Sequence, residues 1–181
     1  MPKNRTRSDE ALASLGPNKM PSVDEDIAEA KRQALYYLKS RARSSAEMRH
    51  YLARKGHGTP IQEEVVTWLE ELGYIDDLQF SQQWIENRCR TKPMGERRLT
   101  YELRQKGIHQ VIIDAAILEF REAVDETELA CQLARDQVKT YQGQETSAAR
   151  RKLAGFLHRR GFQANDIYYA LEQVLDEEAE V

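Results

Sequence analysis

Turn-forming residues are scarce in this sequence. Five prolines and nine glycines in 181 residues leave too few turns for a many-stranded sheet. Cysteine is nearly absent too. Cys89 and Cys131 form no disulfide or zinc framework, which fits a reducing compartment. No apolar run approaches the roughly 18 residues that a membrane-spanning helix needs, so a membrane partner is not expected. The N-terminus lacks the apolar stretch of a secretory leader, which points to the cytoplasm. Catalytic signatures are missing as well. There is no glycine-rich phosphate loop and no HExxH, and the four histidines are scattered. His50 and His57 are seven apart, but a glycine turn intervenes and no acid or cysteine completes a metal set. Neither catalysis nor a cofactor or metal is expected.

Charge and helix formers are plentiful. Forty per cent hydrophobic and 31 per cent charged suits a well-solvated helical protein. Within it an eleven-residue phrase occurs three times: AEMRHYLARKG (46–56), RRLTYELRQKG (97–107) and RKLAGFLHRRG (151–161). Aligned on Gly56, Gly107 and Gly161, the phrases place Met48, Leu99 or Leu153 eight residues before the glycine. Leu52, Leu103 or Leu157 stands four before it, and a cation immediately before. A repeat in fixed register sets the architecture.

Each phrase sits in a run of helix signals. Ser22–Glu25 and Ser44–Glu47 have capping-box spacing. Val23, Ile27, Ala30, Ala34 and Leu38 make one apolar stripe. Thr59 is placed to cap the next helix, with Pro60 as its first residue, and Ile61, Val65, Trp68, Leu69 and Leu72 form its inner face. In GYIDDLQF (73–80), Asp76 can cap a further helix with Gln79 answering, and Ile75 and Phe80 hold the staple positions. That junction predicts rigid docking of the first two units. The cycle repeats through Trp84, Ile85, Val111, Ile112 and Leu118, then through Leu129, Leu133, Val138 and Tyr141. QGQETS (142–147) reads as a loop, and Asn165 or Asp166 as the cap of the last helix. The fold expected is all-α: three tandem three-helix repeats stacked into an elongated, curved body. Their bounds are 22–76, 77–122 and 123–181, after a disordered tail over 1–21.

The net charge of −3 conceals an alternation. Residues 30–56 carry eight basic and one acidic side chain, whereas 62–79 carry six acids and no Lys or Arg. Residues 86–106 are net +4 and 114–128 net −5; 147–161 are net +5 and 172–180 net −5. Lys55, Lys106 and Arg160 stand in last helical turns, where the macrodipole favours a cation by roughly 0.3–1 kcal/mol. Arg97 and Arg104 share another face with Tyr101, and Arg88, Arg90 and Lys92 lead into it. Arg150, Arg151 and Lys152 hold the matching place in the third unit, Arg41 and Arg43 in the first; Arg49 and Arg98 lie in the same basic stretches. These twelve are the candidate partner-binding residues. Such a surface suits an extended acidic partner. Arginine takes carboxylate and phosphate alike, so a nucleic-acid-binding module stands as the alternative. Trp68 and Trp84 fall on apolar stripes and read as core, and Arg88 and Arg90 would lower the Cys89 pKa if they faced it.

GYIDDLQF (73–80), WIENRCR (84–90) and GERRLTYELRQKGI (95–108) together resemble the RecX family of bacterial recombinase regulators. The likeness runs over about residues 30–175 and includes SRARSSAEMRHYLARKG (40–56). It departs at Pro93-Met94, where relatives often carry a glycine and an aromatic, and at Gly155 inside the third phrase. The resemblance implies tandem three-helix repeats and binding to the filament that RecA forms on single-stranded DNA. It also implies modulation, mainly inhibition, of ATP hydrolysis, strand exchange and stimulated repressor self-cleavage. The expected chain is a monomer, with at most weak affinity for DNA itself.

Overall fold

The computed structural model describes residues 22–141 and 143–179, with backbone only for 176–179. The tail expected over 1–21 lies outside them. Among the described residues there are nine α-helices, one short 3-10 turn (Lys139–Tyr141) and no strand. The first repeat comprises α1 (Val23–Leu38), α2 (Ser45–Arg54) and α3 (Thr59–Glu71). The second comprises α4 (Asp77–Thr91), α5 (Glu96–Gln105) and α6 (Gln110–Ala123). The third comprises α7 (Glu126–Val138), α8 (Thr146–Arg160) and α9 (Ala164–Ala179).

Each repeat has its own core. Met48 and Leu52 of α2 are fully buried with Ala30, Ala34, Val65 and Leu69. Leu99 and Leu103 of α5 do the same with Ile85, Ile113 and Phe120, and Leu153 and Leu157 of α8 with Ala134, Phe162 and Val174. Burying a leucine side chain contributes about 1.5–3 kcal/mol, so the phrase leucines anchor each three-helix unit. Close helix packing falls inside the repeats, between α1 and α3, α4 and α6, and α7 and α9. The phrase glycines end their helices in the left-handed region, at φ of 95°, 73° and 89°. There the amide after each glycine reaches back five residues, as in Phe162 N–H to Leu157 O at 3.3 Å.

Helix starts follow the predicted caps with five corrections, two of them half-formed boxes: Ser44 accepts from the Glu47 amide while the Glu47 carboxylate turns to Arg41 and Lys106, and Gln79 does not answer Asp76. Ser22 and Glu25 form the reciprocal box, and Asp76 accepts from the Leu78 and Gln79 amides. Ile75 is buried in the first core and Phe80 in the second, so this junction links two cores. Gly58, not Thr59, is the cap of α3; Thr59 and Pro60 are its first two residues, a place where a missing N–H costs nothing. Helix α8 begins at Thr146, so Thr146 and Ser147 leave the predicted loop. Helix α9 begins at Ala164, its first turn closed by Ile167 N–H to Gln163 O. Asp166 therefore lies inside the helix, where it accepts from Thr127 Oγ1 at 2.7 Å instead of capping.

Candidate partner-binding site

The three phrase helices run end to end. The C-terminus of α5 abuts the N-terminus of α2, and that of α8 abuts the N-terminus of α5. At the first joint the Ser44 hydroxyl donates to the Lys106 carbonyl at 2.7 Å, and Lys106 Nζ lies 2.8 Å from Glu47. Asp77, the first residue of α4, accepts from the Ser45 amide at 2.8 Å and its hydroxyl at 2.6 Å. At the second joint the Gly95 amide donates to the Arg160 carbonyl at 2.9 Å. Glu126, the first residue of α7, accepts from the Glu96 amide at 3.2 Å, and Arg160 Nη1 donates to the Pro93 carbonyl at 2.8 Å. Lys106 and Arg160 thus do more than complement a helix dipole; they tie one repeat to the next.

Beside the second joint lies a cleft of about 790 Å³. Lys92, Arg97 and Arg98 enter it from the second repeat, Arg159 and Arg160 from the third. Tyr101, Phe156 and His158 share the walls. A depression of about 650 Å³ between α5, α8 and α9 continues it, sharing Arg97, His158 and Arg159 and adding Arg150 and Tyr168. No carboxylate of the described residues lines either one. The depression between α1 and α2 differs, for it contains Glu29 paired with Arg32.

The structure divides the twelve predicted cations. Four are engaged with acids: Arg41 with Glu47 at 2.8 Å, Arg49 with Glu63 at 2.9 Å, and Arg88 and Arg98 with Glu102 at 2.7 and 3.4 Å. Arg43 lies 3.9 Å from the Tyr37 ring, which stacks on Tyr51 at 4.0 Å, and its Nε is buried without a partner. Arg104 donates to Gln110 at 3.0 Å and Lys152 to Gln144 at 2.6 Å. Arg90, Lys92, Arg97, Arg150 and Arg151 are exposed and have no acidic partner among the described residues. Two of the three first-repeat candidates, Arg41 and Arg49, are therefore neutralised, and the candidates left open lie on the second and third repeats. Arg159, Arg160 and His158 were not among the candidates. Their signal was the Arg-Arg pair before Gly161, which acquires its meaning only once α8 is seen to meet α5.

Three neighbouring expectations change. Trp84 is half-buried, with the Arg88 guanidinium 4.6 Å and Lys106 Nζ 4.7 Å from its ring, and Trp68 is half-buried under Lys31. Burial pushes the Cys89 thiol pKa up and the Glu86 charge adds to it, while Arg88 turns to Glu102 and Trp84. Met94, at the position of departure, is buried in the second core. No group of three metal-ligating side chains occurs among the described residues, and no described helix is long and apolar enough to cross a membrane.

Fold and site together define a class: a tandem three-helix repeat protein with a basic cleft at a joint between repeats. Models of the first, second and third three-helix domains of RecX match residues 30–69, 76–117 and 124–171. The chain belongs to the RecX family of regulatory proteins. It is 34% identical over 152 residues to the regulatory protein RecX of Prosthecochloris aestuarii, covering 84% of this chain and 97% of that one. The Mycolicibacterium smegmatis protein of the same name is 33% identical over 156 residues, covering 84% and 82%. The crystal structure of RecX from Lactobacillus salivarius has the same fold, with a TM-score of 0.75 at 20% identity over 84% of this chain and 98% of that one.

Proposed function

We propose that this chain is a non-enzymatic regulator of the RecA recombinase, chiefly an inhibitor. It binds the RecA filament on single-stranded DNA and modulates ATP hydrolysis, strand exchange and coprotease activity, in DNA repair and the SOS response. The repeats at 22–76, 77–122 and 123–181 act as one monomeric body in the cytoplasm. The observation that carries this reading is the run of unneutralised cations across the second and third repeats, including Arg90, Lys92, Arg97, Arg150 and Arg151. Repeated basic sites along a row of helices suit a periodic, acidic polymer, and the acidic helices elsewhere disfavour indiscriminate contact.

Titrating the chain into RecA on single strands should lower the rate of ATP hydrolysis. Arg97→Glu with Arg104→Glu should abolish that effect and leave helicity and melting unchanged, since both side chains are exposed. Full inhibition by the double variant would remove these residues from the mechanism. An ATPase indifferent to the wild-type chain would overturn the reading.

A further inference from the structure

The charged groups of the cleft at the second joint can only donate hydrogen bonds. Lys92, Arg97, Arg98, Arg159 and Arg160 carry ammonium and guanidinium groups, which have no acceptor. An extended peptide would bring backbone N–H groups that need acceptors, and these charges offer none. A phosphodiester backbone brings acceptors and negative charge together, so it fits a lining of donors. Planar surfaces accompany the charge. The Arg98 guanidinium lies 5.2 Å from the Tyr101 ring centre and that of Arg160 lies 5.0 Å from Phe156. Unpaired bases stack on such rings and guanidinium planes, whereas a duplex keeps its base faces hidden. The walls come from both repeats, so an occupant bridges the joint where Gly95 N–H meets Arg160 O.

We propose that this cleft binds a single nucleic-acid strand directly through its phosphodiester backbone, and that the strand clamps the second and third repeats together. The inference rests on the cleft that the proposed function also uses. Its test contains no recombinase, so its failure would leave filament regulation standing.

The test titrates the whole chain against a fluorescent oligodeoxythymidine by anisotropy over a salt series. Arg97→Gln with Arg159→Gln should weaken binding by about tenfold or more and flatten the log affinity–log salt slope by about 0.7 per cation removed. Lys31→Gln, whose ammonium lies 3.6 Å from Glu64 in the first repeat, should bind as the wild type does. Saturating oligonucleotide should slow hydrogen exchange at the Gly95 and Glu96 amides and leave Ser45 at the first joint unchanged. Undiminished binding by the double variant would overturn the proposal. Polyglutamate displacing the strand as readily as an oligonucleotide of equal charge would also overturn it, and assign the cleft to an acidic protein. Binding without protection at Gly95 would refute the clamp.

Discussion

Ser44 and Gly95 stand at the same offset ahead of two copies of one phrase, twelve residues before Gly56 and Gly107, yet the joints built around them hold by different forces. The first joint is a charge lock. Burial pushes the Glu47 carboxyl up, but hydrogen bonds from Arg41 and Lys106 outweigh it and hold the pKa at about 2. At the second joint backbone meets backbone. A Cβ on Gly95 would stand 2.7 Å from the Gly161 carbonyl oxygen and 2.5 Å from Glu126 Oε1. The carboxyl there is Glu126, pushed up to about 7 by burial and by the charges of Asp166 and Glu96; the Glu96 amide and Arg121 pull the other way. One joint is fixed across the neutral range, and the other is balanced within it. The adjustable one is where the basic cleft lies.

The largest test sets the second joint's glycine against one that lies at neither joint; Gly107, the glycine of the first joint, is itself crowded by the Ala46 side chain. Gly56 and Gly161 have nearly equal φ, 95° and 89°, but different surroundings. A Cβ at Gly56 meets nothing within 4 Å, whereas at Gly161 it runs into the Arg98 backbone nitrogen and side chain. Left-handed backbone costs an L-residue about 1–2 kcal/mol, so Gly56→Ala should lose about that much. Gly161→Ala should exceed it by at least about 1 kcal/mol, because the third repeat must also undock. Urea unfolding with exchange read repeat by repeat would measure both. Equal losses would mean that the second joint yields to a methyl group and is not held by backbone fit.

Two adjacent aspartates sharpen the first joint. Asp77→Ala orphans the Ser45 amide and hydroxyl, at about 1–3 kcal/mol, and should loosen the first repeat from the second. Asp76→Ala removes only the cap of α4, at about 0.5–2 kcal/mol. Exchange at the Ser45 amide should therefore quicken in the Asp77 variant and stay put in the Asp76 variant. The reverse pattern would put the joint in the wrong residue.

The repeat was legible because it is local. A leucine pair, a cation and a left-handed glycine lie within nine residues, and those positions place Leu99, Leu103 and Gly107 without any knowledge of the fold. Caps within three residues of their amides, such as Ser22 and Asp76, were legible for the same reason. The joints were not, since Ser44 meets Lys106 across 62 residues and Arg160 meets Pro93 across 67. Nor was the fate of individual arginines. Arg49 and Arg97 look alike in the sequence, but Glu63 on a neighbouring helix neutralises one and no carboxylate among the described residues neutralises the other. Counting charge by segment recovers where cations are dense, and leaves open which of them a carboxylate has already taken.

The smallest expected effect concerns pH, and it should have opposite signs at the two joints. The folded pKa of Glu126, about 7, lies above its ordinary value near 4.5, so the folded chain holds more protons between those limits. Stability contributed there falls as pH rises through that window. Glu47, at about 2, is depressed; its contribution is present above about 4.5 and fades as pH drops toward 2. Going from pH 8 to 5.5 should therefore tighten the second joint and leave the first unchanged, and going on toward pH 3 should loosen the first. After correction for intrinsic exchange, protection at the Glu96 amide should rise from pH 8 to 5.5 while that of Ser45 stays level. Glu126→Gln keeps an acceptor for the Glu96 amide and removes the titration, so Glu96 protection should become indifferent to pH between 5.5 and 8. A Glu96 response that persists in that variant would place the titrating group elsewhere and dissolve the contrast between the joints.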